Sequence, residues 1–105
     1  MRELSIDIET YSELDLTKVG VYRYVEHPSF EVMLIAWAFD DEPVQLWDRY
    51  EDPNEPQALY EAIQEAGTIK MAYNAQFERT ALAKHFKAAM PPREWKCTMV
   101  HAAEL

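Results

Sequence analysis

The chain has 105 residues and a net charge of −9; 49% of it is apolar and 12% aromatic, enough for one small domain with a real core and too much for a disordered chain. The charge argues against a protein that grips a phosphate backbone over a broad basic surface. No apolar run longer than residues 32–39 occurs, too short to span a bilayer, no signal-peptide pattern follows Arg2, and the single cysteine, Cys97, excludes an internal disulfide, so a reducing, cytoplasmic compartment fits.

Residues 4–9 read as a strand. The side-chain period of two places Ser5, Asp7 and Glu9 on one face and Leu4, Ile6 and Ile8 on the other. Two like charges side by side repel, and covering them adds a desolvation penalty. Water relieves that cost if the face is simply solvated; a hard divalent cation relieves it if the pair is a metal site. The pair alone leaves both readings open.

Residues 10–16 are polar and read as a loop. Residues 17–25 form a short helical turn, with Val19 and Tyr22 three apart, before the breaker His27-Pro28. The near-continuous apolar run of residues 30–39 is a buried strand. A turn at Asp40-Asp41-Glu42-Pro43 leads to a neighbouring strand from Val44 to Trp47, which predicts a hairpin. Asn54 is placed to cap a helix over residues 55–66, with Leu59, Ile63 and Ala66 on one face and Gly67 at its end. Residues 68–73 are another strand. Asn74 then caps a helix reaching about Ala89, with Phe77, Leu82 and Phe86 inward, and Pro91-Pro92 ends the segment. Residues 94–97 read as a short strand or extended link, and a helical pattern starts at Met99. Trp37, Trp47, Tyr22, Tyr24 and Phe39 are expected in the core, and Trp95 at the surface. The order predicts one α/β domain over residues 1–105 with a mixed sheet. Two glycines allow no glycine-rich phosphate loop, and one cysteine with three scattered histidines makes no zinc pattern.

Charge is unevenly spread. Residues 1–69 carry a net charge of −12, whereas residues 70–96 carry +4. The basic zone surrounds Asn74-Ala-Gln-Phe-Glu-Arg79, which follows a strand and opens a helix, the junction where α/β sheets gather active sites. Glu78 projects from the same helix face as Asn74, one turn on. A capping residue and a first-turn acid explain this spacing without any chemistry. Added to Asp7 and Glu9, it gives three carboxylates from two elements, the inventory of a two-metal phosphodiesterase site.

On these residues the chain resembles a known family. Ser5-Ile-Asp-Ile-Glu-Thr10 looks like the first motif of the DEDD exonuclease superfamily, and Asn74-Ala-Gln-Phe-Glu-Arg79 like the second. The intervening Gly20–Val32 stretch and the hairpin after it are similar to the N-terminal part of phage and prophage family A DNA polymerases. The resemblance implies a ribonuclease H-like mixed sheet flanked by helices and 3′→5′ proofreading hydrolysis with two Mg²⁺ or Mn²⁺ ions, roughly 3.5–4 Å apart. It implies that Asp7 bridges both metals, that Glu9 binds one and orients the attacking water, and that Glu78 serves the other. It also implies that Asn74 holds the substrate strand and that Thr10 and Tyr11 lie beside the terminal nucleotide.

Two departures from the pattern matter. The second-motif acid is usually Asp, whereas here it is Glu78. The third motif, a Tyr or His followed by Asp on a final helix, is absent: His101 is followed only by Ala102, Ala103, Glu104 and Leu105, and reads as a helix-surface residue. Lys96-Cys97-Thr98 resembles the stretch that precedes that helix, with Cys97 as a small packing residue. The expectation is therefore an exonuclease domain truncated at its C-terminus, weak or inactive in hydrolysis. Single-stranded DNA 3′ ends and a polymerase domain in cis or trans are its expected partners, with self-association through the cut surface and no membrane contact. A non-catalytic module of the same fold, contacting nucleic acid or a polymerase, is the alternative; an acidic interaction protein without a metal site is the third reading.

Overall fold

A computed structural model describes residues 2–98. The expectations for the helix after residue 98 and for His101 fall outside them. Five strands form one mixed sheet in the order β3-β2-β1-β4-β5. They are β1 (Glu3–Tyr11), β2 (Glu31–Phe39), β3 (Gln45–Asp48), β4 (Ile69–Ala72) and β5 (Trp95–Cys97). β1, β2 and β3 pair antiparallel, while β4 lies parallel to β1 and β5 parallel to β4. Helices α1 (Leu16–Glu26), α2 (Gln57–Gln64) and α3 (Ala75–Phe86) fill the connections, with a 3-10 turn at Pro92–Glu94 before β5. The mixed α/β architecture expected from the element order is what the chain adopts.

The strict alternation in β1 decides which face is covered. Leu4, Ile6 and Ile8 are buried, whereas Glu3, Ser5, Asp7 and Glu9 are exposed. The buried set joins Ile35, Trp37 and Trp47 from the antiparallel strands and Tyr24, Val25, Leu59, Ile63, Ala81 and Leu82 from the three helices in one cluster. All described helices thus contribute to the core on the Leu4 side. The Asp7 side carries no comparable cover among the described residues, and Val44 (71%) and Leu46 (60%) stand exposed there.

Local chemistry explains where the elements differ from expectation. α1 is longer than the predicted turn because Asp15 caps it, its side chain accepting from the Thr17 backbone N–H at 3.0 Å. Gly20 kinks the helix with φ 82°, a conformation open to glycine, so the two halves present different faces. That kink leaves Tyr22 60% exposed rather than in the core, while Tyr24 is buried. α2 begins two residues later than predicted, with Pro56 rather than Asn54 at its N-cap, since the Asn54 amide is tied into a turn by the Asp52 carboxylate. α3 stops at Phe86, not near Ala89, because Lys87 turns left-handed (φ 54°) and its N–H closes on the Ala83 carbonyl. Trp95, expected at the surface, is only 8% exposed, because β5 turns it toward the core.

β5 is held in part by a buried ion pair. Lys70 on β4 is 1% exposed, and its ammonium donates to Glu94 Oε1 at 2.9 Å, just before β5. This hydrogen bond holds the Glu94 carboxyl below the usual carboxylate range. Breaking such a pair from one side leaves a buried charge without its partner. Glu94→Gln is expected to destabilise the fold by about 2–3 kcal/mol in urea unfolding, since Glu94 itself is partly exposed. The Lys70→Met, Glu94→Gln double variant is expected to recover much of that loss.

Candidate active site

The parallel pairing of β1 and β4 fixes the geometry of the site. Its register sets Glu3 against Ile69, Leu4 against Lys70 and Ser5 against Met71. β4 therefore ends level with the middle of β1, and α3 starts there, so its first turn rises beside Asp7. On the other side of β1, Asp7 pairs with Ala36 and Ser5 with Ala38. These small side chains leave a shallow hollow of about 150 Å³ lined by Ser5, Asp7, Ala36, Ala38 and Val44. A register shift between Glu9 and Thr10 sets Glu9 against Leu34 but Thr10 against Val32, a bulge of the kind that re-aims side chains at sheet ends.

Glu78 departs from the ordinary behaviour of a first-turn acid. It is 6% exposed, and its Oε2 is buried with no hydrogen-bond partner among the described residues. Burial pushes its carboxyl up to about 7, and the charge of Asp7 adds to the rise; backbone amides of Glu78 and Asn74 pull the other way without winning. A carboxylate that is desolvated, unpaired and repelled by a second carboxylate is costly to ionise. A hard cation with oxygen preference is the ligand that removes all three penalties at once.

The other expected site residues fall into two groups. Glu9 and Tyr11 are exposed on the Asp7 side of β1, Tyr11 at 49%. Asn74 is exposed at the start of α3 and makes no capping hydrogen bond with its side chain; its carbonyl accepts from the Glu78 N–H at 3.1 Å. The capping explanation for Asn74 therefore falls away. Thr10 turns to the helix side, where its hydroxyl meets the Tyr24 hydroxyl at 3.0 Å. Tyr24 in turn packs on Phe77, one residue before Glu78, with ring centroids 6.0 Å apart. It thereby ties the end of β1 to the first turn of α3, a link that no spacing in the sequence announces. Among the described residues, no group of three or more His, Cys, Asp and Glu side chains is gathered closely enough to hold a metal ion. Asp7 and Glu78 are brought within reach of each other's charge; a closed three-carboxylate cage is not preformed.

Comparison with known proteins places this geometry in context. The chain is 50% identical over all 105 residues to a DNA polymerase of Bacillus phage SP02, and it spans 16% of that protein's length. Its fold superposes on two structures of Brucella melitensis NrnC, one of them with bound Mg²⁺. Each gives a TM-score of 0.65 at 17% identity, covering 97% of this chain and 44% or 43% of the other. No protein-family model matches the chain. No helix among the described residues is long and apolar enough to cross a membrane. The fold is ribonuclease H-like.

The raised Glu78 carboxyl has a signed consequence for stability. The folded chain keeps this proton up to about pH 7, whereas the unfolded chain releases it near 4.5. Its contribution is therefore intact below pH 4.5 and lost as pH rises through 7, by up to roughly 3 kcal/mol. Thermal unfolding followed from pH 5 to 8 is expected to show a falling midpoint for the native chain and a flatter profile for Glu78→Gln. The two proteins should be closest in stability at pH 5, and the variant should be the more stable at pH 8.

Proposed function

We propose that this chain is the 3′→5′ exonuclease part of a phage-type DNA polymerase, using carboxylate-held divalent cations to hydrolyse the terminal phosphodiester of an unpaired strand. The observation that carries the reading is Glu78: a buried carboxylate, unpartnered at Oε2, in the field of Asp7 at a strand-to-helix junction. The sequence relation to a phage DNA polymerase and the ribonuclease H-like fold both support it.

In this reading Asp7, Glu9 and Glu78 would hold divalent cations between β1 and α3. Bound Mg²⁺ or Mn²⁺ would neutralise the carboxylates and stabilise charge on the attacking and leaving oxygens of an in-line displacement. Glu9 orients the water that attacks the terminal phosphate. Asn74, whose amide is not spent on capping, holds the strand, and Tyr11 borders the terminal nucleotide. Thr10 borders it through its backbone, its hydroxyl being engaged by Tyr24. The net charge of −9 leaves little general affinity for DNA, so a linked or associated polymerase domain supplies the substrate at high effective concentration.

One observation favours a second reading, a strand-binding module that does not cut: the three carboxylates do not form a closed cluster among the described residues. Both readings predict metal binding; only the first predicts hydrolysis. Mn²⁺ titration at pH 8, followed by electron paramagnetic resonance, is expected to show site-specific binding weakened about tenfold or more by Asp7→Asn and by Glu78→Gln. No site-specific binding would overturn both readings. On a single-stranded DNA 3′ end, slow or absent hydrolysis by this chain is the expected outcome. Rapid Mn²⁺-dependent degradation, abolished by Asp7→Ala, would remove the non-cutting alternative.

A further inference from the structure

We infer that Arg49 is a positioning residue for Glu9: it holds the β-bulge opposite the end of β1, and through that bulge sets the aim of the Glu9 carboxylate. The inference rests on the exonuclease reading above and adds to it a residue outside the carboxylate set. The bulge is defined by the β1–β2 register. Glu9 faces Leu34, but the next residue, Thr10, faces Val32, so Met33 is the extra residue and belongs to β2. Without that extra residue Val32 would stand opposite Tyr11, which is exposed on the Asp7 side. With it, Val32 stands opposite Thr10 and is fully buried.

An extra residue disrupts the ladder and leaves a backbone group to be satisfied from elsewhere. Arg49, the residue after β3, meets both carbonyls of the bulge. Its backbone N–H donates to the Met33 carbonyl at 2.9 Å, and its side-chain Nε donates to the Val32 carbonyl at 2.8 Å. Val32 is 0% exposed, so water does not replace Nε unless the strands open. The guanidinium is itself steadied over the buried Trp47 ring, 5.5 Å from its centroid. One side chain therefore decides whether the extra residue is tolerated.

The place of the bulge gives it a bearing on the site. Asp7 lies within the regular pairing, opposite Ala36, and Glu9 is the last residue before the shift. A bulge adds local twist and re-aims neighbouring side chains. Twist added there turns Glu9 relative to Asp7 while the pairing of Asp7 is unchanged. Just beyond it Thr10 is anchored by the Tyr24 hydroxyl, so the turn is held on both sides. An arginine that only fastened β2 to β3 would add stability and have no say in which carboxylate reaches a cation. The two roles separate in a double-mutant cycle with Glu9.

The test is Mn²⁺ titration of the 105-residue chain, followed by electron paramagnetic resonance, in four variants. Arg49→Lys keeps the charge but puts a methylene where Nε stands. It is expected to weaken Mn²⁺ binding by about threefold to tenfold, at or below the low end for losing a ligand-orienting partner. Arg49→Gln loses the charge but keeps an N–H donor the same number of bonds from the backbone. It should bind Mn²⁺ like the native chain, which separates geometry from electrostatics and from a folding artefact. Glu9→Gln should itself weaken binding, and adding Arg49→Lys to it should change affinity by less than about twofold, since the ligand being aimed is already gone. If Arg49→Lys binds like the native chain, if Arg49→Gln loses as much as Arg49→Lys, or if the loss is equal with and without Glu9, the positioning role is wrong and the exonuclease reading stands. No site-specific binding by the native chain would overturn both.

Discussion

Two carboxylates within reach of each other's charge, one of them buried, set the constraint around which this molecule is organised. Glu78 is buried in the first turn of α3, and the charge of Asp7 reaches it from β1. Nothing in their own chemistry brings them together. The parallel β1–β4 pairing does so, by ending β4 level with the middle of β1 and starting α3 at that point. Tyr24 then fixes the arrangement from the far side, with its hydroxyl on Thr10 and its ring against Phe77. The buried Lys70–Glu94 pair secures β5 beside β4, and the Cys97 thiol reaches the turn that carries Tyr73. The repulsion is thus sustained by packing distributed over three strands and two helices. That pattern is expected where a functional site stores unfavourable energy.

The two faces of the sheet divide the work. The Leu4 face holds the hydrophobic cluster that supplies the stability, with contributions from all three described helices. The Asp7 face spends little of its surface on packing. Small residues flank Asp7 and Ser5, the carboxylates are open, and apolar side chains at Val44 and Leu46 are exposed. β1 belongs to both faces, and its period of two keeps them apart: a one-residue slip in register would bury Asp7 and Glu9 and expose Leu4, Ile6 and Ile8. Stability and site are therefore specified by the same nine residues of one strand.

Much of this was legible in the sequence, for identifiable reasons. The alternation of β1 is strong because every second residue is aliphatic, so its faces and the exposure of Asp7 and Glu9 follow directly. The hairpin and the strand–helix junction at Asn74 follow from turn residues and from the length of the apolar runs. The misreadings came where tertiary contacts override local signals. Asn74 has the composition of a cap, yet its side chain does not cap, and Asn54 is drawn into a turn by Asp52. Tyr22 has helical spacing with Val19, but the kink at Gly20 between them turns it outward. Trp95 sits among prolines and charges, and only the parallel pairing of β5 with β4 buries it. The burial of Glu78 could not have been read at all. An acid four residues after a helix start is usually solvated, and whether water reaches it depends on what packs around α3.

The most direct measurement is the ¹³C chemical shift of the Glu78 carboxyl, titrated with pH in the absence and presence of Mg²⁺. A midpoint of about 7 without metal is the expected result, falling when Mg²⁺ is added and falling in Asp7→Asn. A midpoint near 4.5 that neither Mg²⁺ nor loss of the Asp7 charge moves would contradict the account.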